Sequence, residues 1–455
     1  MRTAVVLFTR DLRVHDQPAL AAACRRAQRV VPLFVFDETI LSSRYAAPNR
    51  LRHLLDALAD LRTNLRARGG ELLIRRGELV DQVRGVVEQV GADELHLAAD
   101  VSAYARRRER RLLALADEAG HLDVHVHEGI TLVPAGEIRP TGGEHFKVFT
   151  PYWRRWVEAL RREPEPPPAR VPTPDDLTPG ELPALDELTH GHPAPELMPG
   201  GETAARQRMQ AWFDGPIEDY DEARNDLAAD ATSKFSPHLH LGTMSVAELA
   251  ARIDRRRRGH ETFLQELCWR DFNHQLLAAR PDLVHTDVRT QHDRWREDDE
   301  AFLAWQQGRT GYPVVDAGMR QLTREGWMHN RARMIVASFL TKHLYVDWRL
   351  GAWHFMDHLV DGDMANNFGQ WQWTAGTGTD SRPNRMFNPV TQAKRYDPTG
   401  AYVRRYVEEL AEVDDAHLHA PWEARGSLFE PGEGYPPPIV DHREARERFL
   451  AARGR

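Results

Sequence analysis

Over the first 130 positions the apolar residues switch between two periods. Short apolar runs at Ala4–Phe8, Val30–Phe36, Glu71–Ile74, Glu94–Ala98 and Val124–Val126 read as strands. Helical patterns lie between them, as at Asn49–Arg68 and Ala103–Ala119. This alternation predicts a parallel sheet with helices on both faces. No GxGxxG follows the first strand, so the usual dinucleotide fingerprint is missing. From about Pro164 to Pro199 the chain is rich in proline and poor in periodicity, which predicts a long linker running over the surface. After Glu202 the pattern is mainly helical, down to a last amphipathic stretch at Arg443–Ala452. The expected domains are residues 1–130 (α/β), 131–201 (linker) and 202–455 (helical).

Composition narrows this picture. At 455 residues the chain is too long for one ordinary core. No apolar run approaches membrane-spanning length, and the opening MRTAVVLFTRDLR reads as a first strand, not a secretion signal. Cys24 and Cys268 are the only cysteines, so neither a disulfide framework nor a Cys-rich metal site is expected. These points favour a cytoplasmic protein with no membrane partner and no metal. The net charge is −8, so any nucleic-acid contact must come from a local basic patch. The 12 Trp are many for this length, and a large helical core accounts for several.

Four blocks carry candidate chemistry. Asp361–Trp373 holds two Asp, two Asn and two Trp with glycines between them. It suits either a planar polar ligand such as a flavin, or a capped helix with two core tryptophans. Thr232–Ser236, TSKFS, is followed by Pro237. It reads as a phosphate-holding turn or as a plain Ser/Thr N-cap. In ELCWRDFN, helical spacing puts Glu266, Trp269, Arg270 and Asn273 on one face, fit for a nucleobase or for an exposed ion pair beside a core Trp. In GWMHNRARM, Asn330 and Met334 share a face, and Arg331 and Arg333 are expected to point elsewhere. His329 is a possible ligand or a structural residue. Arg382, Arg385, Lys394, Arg395, Arg404 and Arg405, with Arg224, Arg270 and Arg331, are candidates for a phosphate-binding rim.

In order and spacing, Tyr220, TSKFS, ELCWRDF, GWMHNRARM, DGDMANN, WQW and TGTD resemble the DNA photolyase/cryptochrome family, and within it the class I cyclobutane pyrimidine dimer photolyases. The N-terminal RDLRVHDQPAL is similar to that family's opening strand, loop and helix. The resemblance implies a Rossmann-like parallel-sheet α/β antenna domain followed by an all-α domain that holds FAD. It implies that Tyr220, Thr232, Ser233, Lys234, Phe235 and Ser236 surround the FAD phosphates and ribityl chain, with Phe263 beside the flavin. Asp361, Gly362 and Asp363 would line the flavin ring, Arg333 would pair with Asp361, and Asn367 would face flavin N5. Glu266, Trp269, Asn330, Met334 and Trp373 would line a lesion cavity. Related (6-4) photolyases carry His where this chain has Asn330 and Met334, which favours a cyclobutane dimer as substrate. DNA contacts are implied for Arg270, Asp271, Phe272, Asn273, Arg331 and Gln392, and Arg224 and Arg385 of the basic rim are candidates for the same role. Trp371, Trp348 and Trp295 would relay electrons from the surface to oxidised flavin.

The implied reaction is light-driven repair of UV-damaged DNA. Excited reduced FAD donates an electron to the flipped-out dimer, the ring splits, and the electron returns. Photolyases are among the systems generally cited for base flipping. Glu266 would hydrogen-bond the thymine carbonyl. Three departures stand out: Phe263 replaces a usual Trp, Asp271 a usual Glu and Asn273 a usual Tyr. Folate-binding relatives have Asn-Glu where this chain has Tyr104 and Ala105. The pattern from Asp100 to Tyr104, with Pro48 and Arg50, looks more like relatives that bind 8-hydroxy-5-deazaflavin, making Arg50 and Asp100 candidate antenna contacts. An empty antenna pocket or a second flavin are the alternatives. The rival to repair is a blue-light receptor of the cryptochrome type. The absence of a long C-terminal extension, with Asn367, points towards repair, and a monomer is expected.

Overall fold

The computed structural model describes residues 1–159, 162–424 and 434–454. Strands β1 (Thr3–Leu7), β2 (Arg29–Asp37), β3 (Leu73–Gly77), β4 (Glu94–Ala98) and β5 (Asp123–His127) form one parallel sheet in the order β3-β2-β1-β4-β5. Every residue of the central β1 is buried. Successive side chains leave a strand on opposite faces. Ala4 and Val6 therefore join Leu20 and Leu58 in one core, while Val5 and Leu7 join Val83 and Leu112 in another. The helices Pro18–Arg26 and Pro48–Arg66 supply the first core, and Leu79–Val90 and Ala103–Ala119 the second. The third strand runs on through Arg75 and Arg76, past the apolar run that announced it. It is an edge strand, so those positions need not be apolar.

The proline-rich segment is no free tether. Val30 N–H donates to Pro172 O (3.0 Å), Ile74 N–H to Pro179 O (2.6 Å), and Val171 is fully buried. The segment thus satisfies backbone groups beside β2 and β3. The interval 131–201 is also mixed. Leu132, Val133, Phe146, Tyr152 and Trp156 pack with Trp212 and Phe272 in a core of the helical part.

The helix Arg258–Ala279 is the spine of that part. It is buried on several sides, by Leu264, Leu267, Phe272 and Leu276 among others. It packs against the helix Met364–Ala375. Between the helices Asn330–Ser338 and Trp348–His358 lies a π-helical turn, Phe339–Leu344, all of it buried. The sequence pattern did not announce this turn, since its apolar spacing also fits an α-helix.

Backbone contacts lock the two domains together. Leu12 N–H donates to Leu241 O (3.2 Å) and Arg13 Nη1 to Gly242 O (2.9 Å). Gly242 has φ +67°, and a Cβ there would lie 2.0 Å from the Arg10 carbonyl oxygen, so only glycine fits this crossing.

Candidate functional site

The helical part of the chain encloses a cavity of about 470 Å³, a size that suits a cofactor or ligand. Its lining comes mainly from the turn before the helix Ser236–Leu241 and the helices Arg258–Ala279 and Asn330–Ser338, with the loop and helix from Asp361 to Thr374. Tyr220, Arg224, Asn225 and Trp327 add to it.

The turn contributes Thr232, Ser233, Lys234, Phe235 and Ser236, with Tyr220 and Phe263 beside them. Lys234 sits at φ +50°, so it stands in the left-handed region that most residues avoid. Its ammonium lies 2.5 Å from Asp230 Oδ1 and 5.0 Å from the Trp327 ring centroid. The helix that follows has no side-chain cap at Phe235, so this turn is not a plain Ser/Thr N-cap. Phe263 meets Trp212, Tyr220 and Phe235 at centroid distances of 5.6, 5.9 and 5.9 Å. Trp212 therefore brings an indole into this cluster from another helix.

At the inner end, Arg333 Nη2 donates to Asp361 Oδ2 at 2.8 Å, and Arg333 Nε to Met328 O at 2.8 Å. Asp361 Oδ1 is buried without a hydrogen-bond partner among the described residues, as is Thr232 Oγ1. Asp363 caps the helix Met364–Ala375: its Oδ1 accepts from Asn366 N (2.9 Å) and Asn366 Nδ2 (2.8 Å). Its Oδ2 lies 2.5 Å from Arg10 Nη2, 3.8 Å from His274 Nε2 and 4.0 Å from His240 Nδ1. Burial opposes its ionisation, but His274 and Arg10 together hold its carboxyl well below the usual carboxylate range. Asn367 is buried, with Nδ2 donating to Ala352 O at 2.9 Å. Asn366 joins the two sides of the site, since its Oδ1 accepts from Asn273 Nδ2 (3.0 Å). The helix end is thus both capped and part of the site, so the two readings of Asp361–Trp373 describe one arrangement.

At the mouth, Glu266 Oε1 accepts from Arg224 Nη1 at 2.6 Å. About a third of the Glu266 side chain, 35%, is exposed. Burial pushes its carboxyl above the usual carboxylate range, against the pull of Arg224 and Arg331. Trp269 stacks on Phe149 at 3.7 Å with the rings 3° from parallel. Asn330, Arg331, Arg333 and Met334 all line the cavity. The arginines were expected to point elsewhere. The helix instead meets the cavity along Asn330, Arg331, Arg333, Met334 and Ala337, while Ala332, Ile335 and Val336 turn into the core. Arg331 Nη2 donates to Asn225 Oδ1 (2.5 Å) and its guanidinium covers the Tyr396 ring at 4.5 Å. His329 is the N-cap, its ring accepting from Arg331 N at 3.0 Å, which is the structural role. Trp373 lines the cavity, and the exposed Arg385 lies 5.2 Å over its ring.

Several candidates are tied up within the chain or lie outside the cavity. Arg270 lines the cavity, but its guanidinium donates to Ile130 O (2.6 Å) and Leu239 O (3.4 Å), so it ties chain segments together. Asp271 and Phe272 are buried in the adjacent core. Asp271 accepts from Leu132 N, Val133 N and Trp156 Nε1, and burial pushes its carboxyl to about 6. Gln392 is half-buried on the helix Pro389–Tyr396, outside the cavity lining. Arg404 is spent on Thr399 O, Ala411 O, Val413 O and Asp415, which removes it from any rim. Arg50 is buried, its guanidinium donating to Tyr45 O, Met356 O and Leu359 O. A Cβ on Gly362 would lie 2.6 Å from Arg50 Nη1, so this arginine presses on the Asp361–Asp363 loop. Asp100 pairs with Arg10 at 3.3 Å.

Of the three tryptophans proposed as a relay, Trp371 lines the cavity, Trp348 is fully buried and Trp295 is half-buried. Trp371 packs edge-on against Phe355 (5.0 Å), Trp348 against Phe368 (6.3 Å), and Trp295 meets Tyr345 (5.1 Å). Gly351 admits the Trp371 ring: a Cβ there would lie 2.3 Å from its Cη2. Sequence reasoning passed over Trp327, Asn225, Asn366 and His240, all of which line the cavity. Trp327 and Asn366 lie inside blocks already singled out, so their signal was available.

The donor set fits an FAD. A cation and hydroxyls at Thr232–Ser236 suit phosphates, and the orphan acceptor at Asp361 and the amide of Asn367 suit a polar ring edge.

The family model described as "DNA photolyase" matches residues 4–173, and the one described as "FAD binding domain of DNA photolyase" matches residues 263–455. The chain is similar to the deoxyribodipyrimidine photo-lyase of Streptomyces griseus, 54% identical over 458 residues and covering 100% of both chains. It superposes on a bacterial class III photolyase from Agrobacterium tumefaciens with a TM-score of 0.93, at 34% identity, covering 100% of this chain and 97% of that one. The archaeal photolyase from Sulfolobus tokodaii follows with a TM-score of 0.86, at 29% identity and 99% coverage of each. This chain belongs to the DNA photolyase family.

Proposed function

We propose that the protein is a deoxyribodipyrimidine photolyase, repairing cyclobutane pyrimidine dimers in UV-damaged DNA with light. One observation carries this reading. The phosphate-suited turn, the Asp361–Asp363 loop and Asn367 share one cavity with Glu266, Trp269 and Met334 at its mouth. Reduced FAD, when bound, supplies the photoexcited electron for ring splitting and takes it back afterwards. The chain's residues do the rest. Arg333 and Asp361 hold a fixed charge pair at the inner end, and Asn367 presents a buried amide there. Trp269, stiffened by Phe149, offers an apolar wall to a flipped-out base. Burial raises the Glu266 carboxyl against the pull of Arg224, the direction that favours the protonated form able to donate to a carbonyl that gains charge. Arg331 and Arg385 stand at the rim for backbone phosphates. Trp371, Trp348 and Trp295 form the reductive path for oxidised cofactor.

We assign the enzyme to class I on its motif blocks and propose 8-hydroxy-5-deazaflavin as the antenna. The antenna assignment rests on the sequence pattern from Asp100 to Tyr104, because Arg50 and Asp100 are both committed inside the chain. A second flavin is the alternative, since the Sulfolobus tokodaii photolyase was solved with two FAD molecules. An absorption spectrum of the purified protein separates the two. For the repair reading, reduced protein is mixed with dimer-containing DNA under blue light, with a dark control. Restored thymines are expected in the light alone. Equal yields in light and dark, or none, would overturn repair and leave a receptor role.

A further inference from the structure

Strands β4 and β5 carry a second polar cluster, which takes no part in lining the cavity. Glu94 and His96 are two apart on β4, and His125 and His127 two apart on β5, so each pair projects from one face of its strand. The register sets His96 beside His125. Glu94 and His96 are fully buried, and His125 and His127 are half-buried. One ligand atom from each of Glu94, His96 and His125 lies within 4.8 Å of the other two. Arg26 stands in this space: its Nη2 is 3.0 Å from Glu94 Oε1 and 3.5 Å from His125 Nε2. It is 45% exposed at the end of the helix Pro18–Arg26, so it can leave for solvent. Arg2, at 3.1 Å, would still hold Glu94.

We propose that Glu94, His96 and His125 form a binding site for a divalent cation of the zinc type, with Arg26 as its displaceable occupant. Two imidazoles and one carboxylate are donors that zinc accepts, whereas magnesium and calcium, which prefer oxygen, disfavour the two imidazoles. Bonds of about 2 Å require the ligands to close up, and β5, the sheet edge, can give the difference. Zinc on His96 Nε2 needs the ring proton on Nδ1. His127 Nε2 lies 2.9 Å from that Nδ1, ready to accept it. His127 is thus the outer partner that orients a ligand histidine. The doubly charged ion takes the place of a singly charged guanidinium beside a carboxylate that is already buried.

Zinc chloride titrated into the full-length protein in a calorimeter tests the site. One equivalent is expected to bind, and His125→Ala to abolish it. His127→Ala should weaken it roughly 10- to 100-fold. Arg26→Ala should tighten it, a gain that a damaged fold would not produce. His190→Ala, an exposed histidine of the proline-rich segment, should leave it unchanged. Absence of the equivalent in the unaltered protein, its survival in His125→Ala, weaker binding in Arg26→Ala, or its loss in His190→Ala would overturn the proposal.

Discussion

The inner end and the mouth of the cavity are built on opposite rules. At the inner end, Asp361 and Asp363 are buried and each is neutralised by an arginine from another part of the chain. Arg10 reaches across from the sheet domain, and Arg333 from the helix Asn330–Ser338. At the mouth, Glu266, Trp269, Arg331 and Trp373 are half-buried, and Arg385 is exposed. Charges there pair through ends that solvent can reach. The difference teaches that a resident ligand is held by fixed electrostatics, whereas a visiting one needs groups that water can leave.

The strongest test of that contrast is Trp371→Phe at the inner end. It should abolish photoreduction of oxidised cofactor, followed by absorbance under blue light, and spare repair by chemically reduced enzyme. Surviving photoreduction would mean another path serves the site. Next comes Arg10→Leu, which strips a partner from both Asp363 and Asp100. Removing the cation from these buried pairs should cost about 3–5 kcal/mol, read by denaturant unfolding. A loss below about 1 kcal/mol, the range of exposed pairs, would place Arg10 among the solvated arginines and erase the contrast.

Effects at the mouth should be smaller. Glu266→Ala removes one hydrogen bond to developing charge, about 1.5 kcal/mol, and so slows ring splitting roughly tenfold. Binding of dimer DNA should hold, and unchanged repair per photon would sink this role. Because the raised carboxyl works in its protonated form, repair per photon should fall as pH rises through the Glu266 titration. Glu266→Gln, which keeps a donor at every pH, should flatten that profile. The smallest change is Arg385→Ala. It should lower DNA affinity modestly at any sequence and reduce the slope of log affinity against log salt by about 1. An unaltered slope would take Arg385 off the phosphate rim.

Much of this was legible before the fold was seen. The five strands follow apolar runs, and the helix Ala103–Ala119 has the expected bounds. The site blocks were visible as blocks, because local spacing governs which residues of one helix share a face. The misplaced arginines have one physical cause. The guanidinium groups of Arg270 and Arg50 are long enough to choose partners from other elements, and they chose backbone carbonyls. Lys342 behaves in the same way. It sits buried in the π-helical turn, donates to Pro383 O and Arg385 O, and is pushed down to about 7 by burial. No spacing rule discloses that a lysine inside a helical stretch holds the loop that carries Arg385.

The sequence alone determined the two-domain plan, the strand positions and the four blocks that mark the family, because hydrophobic period and motif spacing are local properties. Only the tertiary structure decided that Arg10 of the sheet domain neutralises Asp363 and that β4 and β5 bring Glu94, His96 and His125 together. Those outcomes depend on side chains hundreds of positions apart meeting in a low-dielectric interior, where a partner a few ångströms away outweighs every neighbour along the chain.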